Sequence, residues 1–321
     1  MCRYLWYYRP FAAGPVSEKI PSKIRFKESK IMEIIFSTLI NGLSLGGIYA
    51  MIALGYTMVY GIAKMLNFAH GDVIMIGGYL IYVFMATNSP LLAIVLSVIG
   101  CVILGITIER VAYRPLRGAS PLAVLITAIG VSYLLQSLAQ IVFGSATKMV
   151  TVYEFGAIRI LGATIQISAL VTLAVTVTVM VALTLFVKYT RLGRAMIAVS
   201  EDRAAAQLMG IDVNAIITVT FAIGSALASL AGLFYLLKAP AVSNTMGAMP
   251  GIKAFTAAVI GGIGSIPGAM LGGILLGIVE SVSYRITAIA PYTDAIEFSV
   301  LILILLVRPT GFLGKKRREK V

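Results

Sequence analysis

Long apolar stretches alternate along the chain with short segments that hold nearly all of its charge. The apolar runs fall at about 34–60, 67–87, 90–109, 121–143, 165–187, 213–237, 252–266, 269–290 and 292–307. A bilayer core about 30 Å thick takes about 20 apolar residues per spanning helix, and most of these runs reach that length. None shows the period-two alternation of a membrane barrel. The pattern therefore predicts an all-α, polytopic membrane protein of about eight or nine transmembrane helices. The run at 252–266 is the exception. Its fifteen residues make a helix of about 22 Å, short of the hydrocarbon thickness. It is bounded by Pro250-Gly251 and by Ser265-Ile266-Pro267-Gly268. Two readings stay open there: a half-helix or re-entrant segment of the kind that marks translocation sites in transporters, and a tilted helix with a tight turn into the next.

Composition agrees with that class. Of 321 residues, 59% are hydrophobic and 12% charged, about half the charge of an ordinary globular domain. The net charge of +13 is clustered: Arg3 to Lys30, then Arg110, Arg114 and Arg117, then Lys188 to Arg203, and finally Arg308 with the Lys315–Lys320 group. Short basic loops between apolar runs are the positive-inside signature, which ranks far above nucleic-acid binding. Taking 110–120 and 188–212 as cytoplasmic puts 144–164 outside. It also puts the start of the first span outside and, provided 252–266 crosses, the C-terminus inside. The seven cations of residues 1–30 conflict with that scheme. Either that tail is cytoplasmic and the span count is off by one, or, as Met32 directly before the first run favours, residues 1–31 are an extension that is disordered or comes from a non-native upstream start. They lack the apolar core and cleavage site of a signal peptide. Residues 32–314 then form the transmembrane domain and 315–321 a basic cytoplasmic tail.

The 31 glycines suit close helix packing in lipid. Leu-Gly-Gly-Ile occurs at 45–48 and again at 271–274, a repeat that coincidence explains best. Cys2 and Cys101 form no disulfide framework, and Cys101 reads as a small apolar filler. One histidine gives no usual metal site, and no G-x-x-x-x-G-K-[ST] loop is present to cradle ATP phosphates. No catalytic residues, metal or cofactor are expected. Polar residues inside the runs are few: His70, Asp72 and Glu280. Intramembrane ionisable groups are costly and tend to face a cavity or a partner, which makes them candidate pathway residues. Asn67, Lys253 and Thr256 join them, the last two from the short run. For Asn67, His70 and Asp72 the favoured role is capping of the helix they open. For Glu280 the plain alternative is a hydrogen bond between helices.

The loop 188–212 is the most informative stretch. Ser200 suits an N-cap, Glu201 and Asp202 suit a first turn, and Gly210 suits a C′ stop. The implied helix of about nine residues is marginal by itself in water and must dock on something. Ala205, Ala206, Leu208 and Met209 would supply a small, smooth surface; a packed cytoplasmic connector is the plain alternative. A short helix of this kind between spans resembles the coupling helix of ABC-transporter permeases. Their common motif runs glutamate, two alanines, three residues, glycine. Here Ala204 stands at the glutamate position, followed by Ala205, Ala206 and, after three residues, Gly210.

Four longer segments extend the resemblance. Asn41 to Tyr60 (NGLSLGGIYAMIALGYTMVY), Asn67 to Tyr79 (NFAHGDVIMIGGY), Glu109 to Arg117 (ERVAYRPLR) and Lys253 to Glu280 (KAFTAAVIGGIGSIPGAMLGGILLGIVE) together resemble the branched-chain amino-acid ABC importer permeases of Liv type. The match is nearest to the H-like subunit of their two-permease pair and runs from about residue 38 to about residue 314. The resemblance implies a multi-pass subunit of the bacterial inner membrane. Its partners would be a second permease, two cytoplasmic ATPases and a periplasmic substrate-binding protein. ATP hydrolysis would belong to the ATPases. Arg194, Glu201, Asp202 and Arg203 would make polar contacts to an ATPase, while Ala205, Ala206 and Gly210 would permit its close approach. The cargo would be branched-chain or related amino acids, with urea or short amides the alternative within the family. A secondary transporter would need more intramembrane carboxylates than Asp72 and Glu280; a passive channel is the remaining rival.

Overall fold

A computed structural model describes residues 22–314 apart from 88, 154, 161 and 162. Residues 1–21 of the expected extension and the tail 315–321 lie outside the described residues. The elements follow the apolar runs: α1 (Ser22–Ala63), α2 (His70–Phe84), α3 (Pro90–Ile108), α4 (Pro121–Phe143), α5 (Ile167–Tyr189), α6 (Arg191–Glu201), α7 (Arg203–Leu208), α8 (Val213–Lys238), α9 (Ala248–Gly261), α10 (Ile266–Arg285) and α11 (Thr293–Val307). Four short strands are added: β1 (Lys148–Met149), β2 (Ala157–Ile160), β3 (Ala163–Gln166) and β4 (Ala241–Val242). Eight of the described helices are long and apolar enough to cross a bilayer, and the fold is that of an all-α, multi-pass membrane protein.

The strands occupy one end of the bundle. β2 pairs antiparallel with β3, and β1 pairs antiparallel with β4, bringing Lys148 opposite Val242. Sequence patterning misses them because each holds only two to four residues. At the opposite, basic end, the guanidinium of Arg203 reaches the Ile62 and Ala63 carbonyls at the close of α1. Arg117 there pairs with Glu109 and donates to Asn214 at the start of α8.

The short run becomes a helix of 14 residues, α9, shifted towards the N-terminus of its expected place. Pro250 does not stop it, because it stands in the first turn, where no intrahelical N–H is required. Gly262 ends it at φ 103°, a conformation open to glycine, and Ser265 caps α10 by accepting from the Gly268 N–H. The backbone N–H groups of Phe312 and Leu313 donate to the carbonyls of Ile260 and Gly261, so the C-terminus of α9 is closed by the chain beyond α11. From β4 at the strand end, segment 243–247 and α9 together lead to the basic end.

The N-terminus of α9 meets that of α2 inside the bundle. Gly247 and Gly251 lie against Gly71 so tightly that a Cβ on Gly247 would stand 1.9 Å from the Gly71 carbonyl oxygen. A second glycine seam joins α1 to α10: a Cβ on Gly277 would fall 2.1 Å from the Gly46 nitrogen, and one on Gly46 2.7 Å from the Ile274 Cα. The two Leu-Gly-Gly-Ile segments, expected to be a coincidence, are thus neighbours across this seam. Large apolar side chains such as Ile103, Ile126, Ile141, Leu185 and Leu306 are exposed. Such a surface suits lipid and would be a liability in water.

Candidate functional site

The main cavity opens at the strand end and encloses about 910 Å³ between α1, α5, α8, α9, α10, the first turn of α11 and the β2–β3 hairpin. Its charged centre is Lys253, carried on the second turn of α9 and only 6% exposed. The Lys253 ammonium lies 2.9 Å from Asp294 Oδ1, 3.2 Å from Glu280 Oε2 and 3.3 Å from Glu297 Oε2. Tyr49 of α1 donates to Glu280 Oε2 at 2.6 Å. Asp294 and Glu297 stand three residues apart in α11 and so share a helix face. Glu297 is fully buried, whereas the Asp294 side chain is 51% exposed. Lysine has three N–H donors, and here three carboxylates surround them. The cluster therefore ties α9 to α10 and α11 through charge-assisted contacts in a setting where an unpaired charge would be costly.

The polar candidates at the start of α2 lie elsewhere. Asp72 accepts from Gln136 Nε2 at 2.9 Å and from the Ser132 hydroxyl, both on α4. The expected capping role for Asn67, His70 and Asp72 is not what the structure shows. The N-cap of α2 is Ala69, without a side-chain cap bond, because the Asp72 carboxylate finds partners across the helix interface. Asp72 still sits in the first turn, where the helix dipole favours an acid. Asn67 Oδ1 accepts from the Tyr113 hydroxyl at 2.8 Å. His70 is buried against Gly55, and its Nε2 has no hydrogen-bond partner. Thr256 is buried in α9 but does not line the cavity. Of the six candidate pathway residues, the structure brings together Lys253 and Glu280 and leaves the other four apart from them.

At the basic end the connector between α5 and α8 contains two helices where one was expected. Ser200 is not an N-cap: it lies within α6, its hydroxyl bonded to the Ile197 carbonyl at 2.7 Å. Glu201 closes α6. Asp202 breaks the helix with an extended backbone, and its Oδ1 accepts from the N–H groups of Ala204 and Ala205 at 2.9 and 3.0 Å. The six-residue α7 ends at Gly210 with φ 81°. The Ile211 N–H donates to Ala206 and the Gly210 N–H to Gln207, which is the Schellman pattern. Leu208 and Met209 project outward, 89% and 82% exposed; Ala205 and Arg194 are exposed too. Two expectations for this surface change. Ala206 is buried against the bundle, and Arg203 turns inward to the carbonyls at the end of α1. Neither belongs to the outward face. A cleft of about 570 Å³ lies beside α7, lined by Arg117, Arg203, Gln207 and the start of α8.

A family model described as "Branched-chain amino acid transport system / permease component" matches residues 38–305. The chain belongs to this family. It is 46% identical over 298 residues to the high-affinity branched-chain amino acid transport system permease protein BraD of Pseudomonas aeruginosa, covering 88% of this chain and 97% of that protein. To the corresponding LivH protein of Escherichia coli strain K12 it is 43% identical over 296 residues, covering 88% and 96%. Among solved structures it is similar to PsaBC from Streptococcus pneumoniae in complex with Fab, at 15% identity, a TM-score of 0.44 and coverage of 90% and 97%.

For a transport permease the most consequential residues that sequence reading passed over are Asp294, Glu297, Tyr49 and Lys238. Glu297 lies inside the last apolar run and Asp294 one helical turn before it. The rule that singled out Glu280 therefore applied to Glu297 equally. Nothing local marks Tyr49, which gains its role only when α1 and α10 meet.

Proposed function

We infer that this chain is the permease subunit of an ATP-driven importer in the cell inner membrane. It forms half of a pathway for branched-chain amino acids beside a second permease. Two cytoplasmic ATPases supply energy, and a periplasmic binding protein delivers the cargo. The observation that carries this reading is the pairing of a charged cavity at one end with an exposed apolar connector at the other. Basic loops favour the cytoplasm, so the cavity faces the periplasm and α7 faces the ATPases. Leu208 and Met209 are too exposed to serve this chain's own packing and suit insertion into a groove on a partner.

The route between the two ends follows α1. Arg203 binds the last carbonyls of α1, where a positive charge is favoured. Thirteen residues earlier the same helix presents Tyr49 to Glu280, and the glycine seam holds α1 to α10. Displacement of α7 by the ATPases reaches the cavity wall along this rod. The test is uptake of radiolabelled leucine into proteoliposomes holding the four membrane-associated subunits, with the binding protein added. Uptake should require both ATP and the binding protein. Uptake driven by an ion gradient without ATP, or leucine flux through this chain alone, would overturn the reading.

A further inference from the structure

We propose that the strand-end cavity binds its solute as a zwitterion, with Asp294 and Glu280 taking the ammonium of a free α-amino acid and Lys238 its carboxylate. The inference rests on the permease reading and adds to it a site, with a role for each charged residue.

Three acids share the Lys253 ammonium at 2.9 to 3.3 Å, and Glu297 also accepts from it through Oε1 at 3.4 Å. Lys253 cannot be the residue that greets a substrate carboxylate, since its donors are committed to the three acids. Asp294 differs from the two glutamates in being half exposed on the cavity side, so it can take an incoming ammonium without dismantling the cluster. Glu280 also lines the cavity.

The opposite charge is supplied at the end of α8. Lys238 lines the same cavity, lies within electrostatic range of Glu280 and Glu297, and forms no ion pair among the described residues. Arg285, the last residue of α10, adds a second cation to the lining. The same lining includes Leu45, Ile48, Ala169, Phe234, Leu237 and Met249, apolar surface for an aliphatic side chain. The volume lies within the range of small-molecule sites. A neutral solute such as urea would leave Lys238 unmatched, and sites built around charged partners reject analogues that lack them.

The test measures equilibrium binding of tritiated leucine to the assembled transporter in nanodiscs without the binding protein. Leucinamide, which lacks the carboxylate, and 4-methylpentanoate, which lacks the ammonium, serve as competitors. Loss of one charge-assisted contact weakens binding by at least about tenfold. Asp294→Asn and Lys238→Gln should each cost that much for leucine, and both analogues should compete at least about tenfold less well than leucine. The cross-pattern is specific: Lys238→Gln should leave leucinamide competition unchanged, and Asp294→Asn should leave 4-methylpentanoate competition unchanged. Asp294→Glu and Lys238→Arg should restore much of the affinity, which a folding defect would not permit. Undetectable leucine binding to the wild type at 10 mM overturns the proposal, as does equal competition by all three ligands or loss without the cross-pattern. Failure of the permease reading shows separately, as absence of ATP-driven leucine uptake by the wild-type assembly.

Discussion

At the strand end, Lys253, Glu280 and Glu297 are ionisable and buried; at the basic end, Leu208 and Met209 are apolar and exposed. Each arrangement inverts the usual rule of burial, and the inversions have different physical origins. The buried charges are kept by geometry. Glycine contacts draw α10 against both α1 and α9, where a Cβ on Gly272 would fall 2.0 Å from the Ala257 carbonyl oxygen, and one ammonium on α9 reaches acids on α10 and α11. The exposed apolar pair is kept by helix chemistry, with Asp202 opening α7 and Gly210 closing it, so that two large side chains stand on a short rigid knob. Buried charge implies that disturbance of the strand end harms the fold itself. Exposed apolar surface implies that disturbance of the basic end harms only an encounter with something else. Four substitutions, ordered by their effect on stability, test that contrast.

The largest loss should come from Gly277→Leu. A Cβ there meets backbone atoms of Gly46 at 2.1 and 2.3 Å, and backbone cannot swing aside as a side chain can. Overpacking costs about 1–3 kcal/mol in adaptable cores; at a backbone-to-backbone contact the seam should fail altogether. Size-exclusion profiles of the purified protein should lose their single peak, whereas Gly130→Leu, with nothing within 4 Å of its Cβ position, should keep it. An intact Gly277→Leu protein would mean that the cavity does not depend on the seam.

Lys253→Met comes next. Removing one partner of a buried ion pair costs about 3–5 kcal/mol, because the other charge is left uncompensated. Here three acids lose the ammonium they share, so the thermal unfolding midpoint should fall by several degrees and uptake should be lost. An unchanged midpoint would show that the cluster does not hold α9 to α10 and α11.

How far these features could be read in the chain follows from the range of the interactions behind them. Run lengths and basic loops are local, so the helical class, the nine apolar segments and the exceptional short run were all legible. The stop at Gly210 was also legible, because a left-handed C′ position is a property of one residue and its neighbours. Ser200 was misread as the cap in place of Asp202: both are good N-cap residues two positions apart, and only the extended backbone at Asp202 decides between them. Asp72 was taken for a cap because its partners, Ser132 and Gln136, lie sixty or more residues away. Lys253 and Glu280 were both singled out, but their meeting was not foreseeable from spacing. That the two Leu-Gly-Gly-Ile segments touch was equally out of reach, since contact between them is a tertiary fact.

Arg203→Met should have a middling effect. It removes a guanidinium from the carbonyls of Ile62 and Ala63, and hydrogen bonds to charged groups contribute about 1.5–3 kcal/mol. Part of that loss will be recovered by water, since this end of the molecule is solvated. The informative measurement is the ratio of ATP hydrolysed to leucine transported. If α1 carries motion from α7 to the cavity, hydrolysis should persist while uptake falls several-fold, and Arg203→Lys should recover part of the coupling. An unchanged ratio would break the proposed route along α1.

Leu208→Asp should scarcely touch the fold. Its side chain is 89% exposed and contributes little to internal packing, and surface substitutions of that kind fall within about 0.5 kcal/mol. Thermal stability and membrane insertion should match the wild type. Uptake should not, because a carboxylate placed where a partner buries an apolar anchor costs about 2 kcal/mol or more, or about thirtyfold in affinity. Ile126→Asp provides the matching control on another exposed apolar residue. It lies within the α4 span, where an aspartate is costly to insert, up to about 2.5–3.5 kcal/mol at a helix centre, so there the membrane step should suffer. Two exposed apolar side chains would thereby be told apart by what covers them, lipid for Ile126 and a partner protein for Leu208. If Leu208→Asp left both stability and uptake unchanged, the apolar knob would have no partner, and the contrast between the two ends of the bundle would collapse.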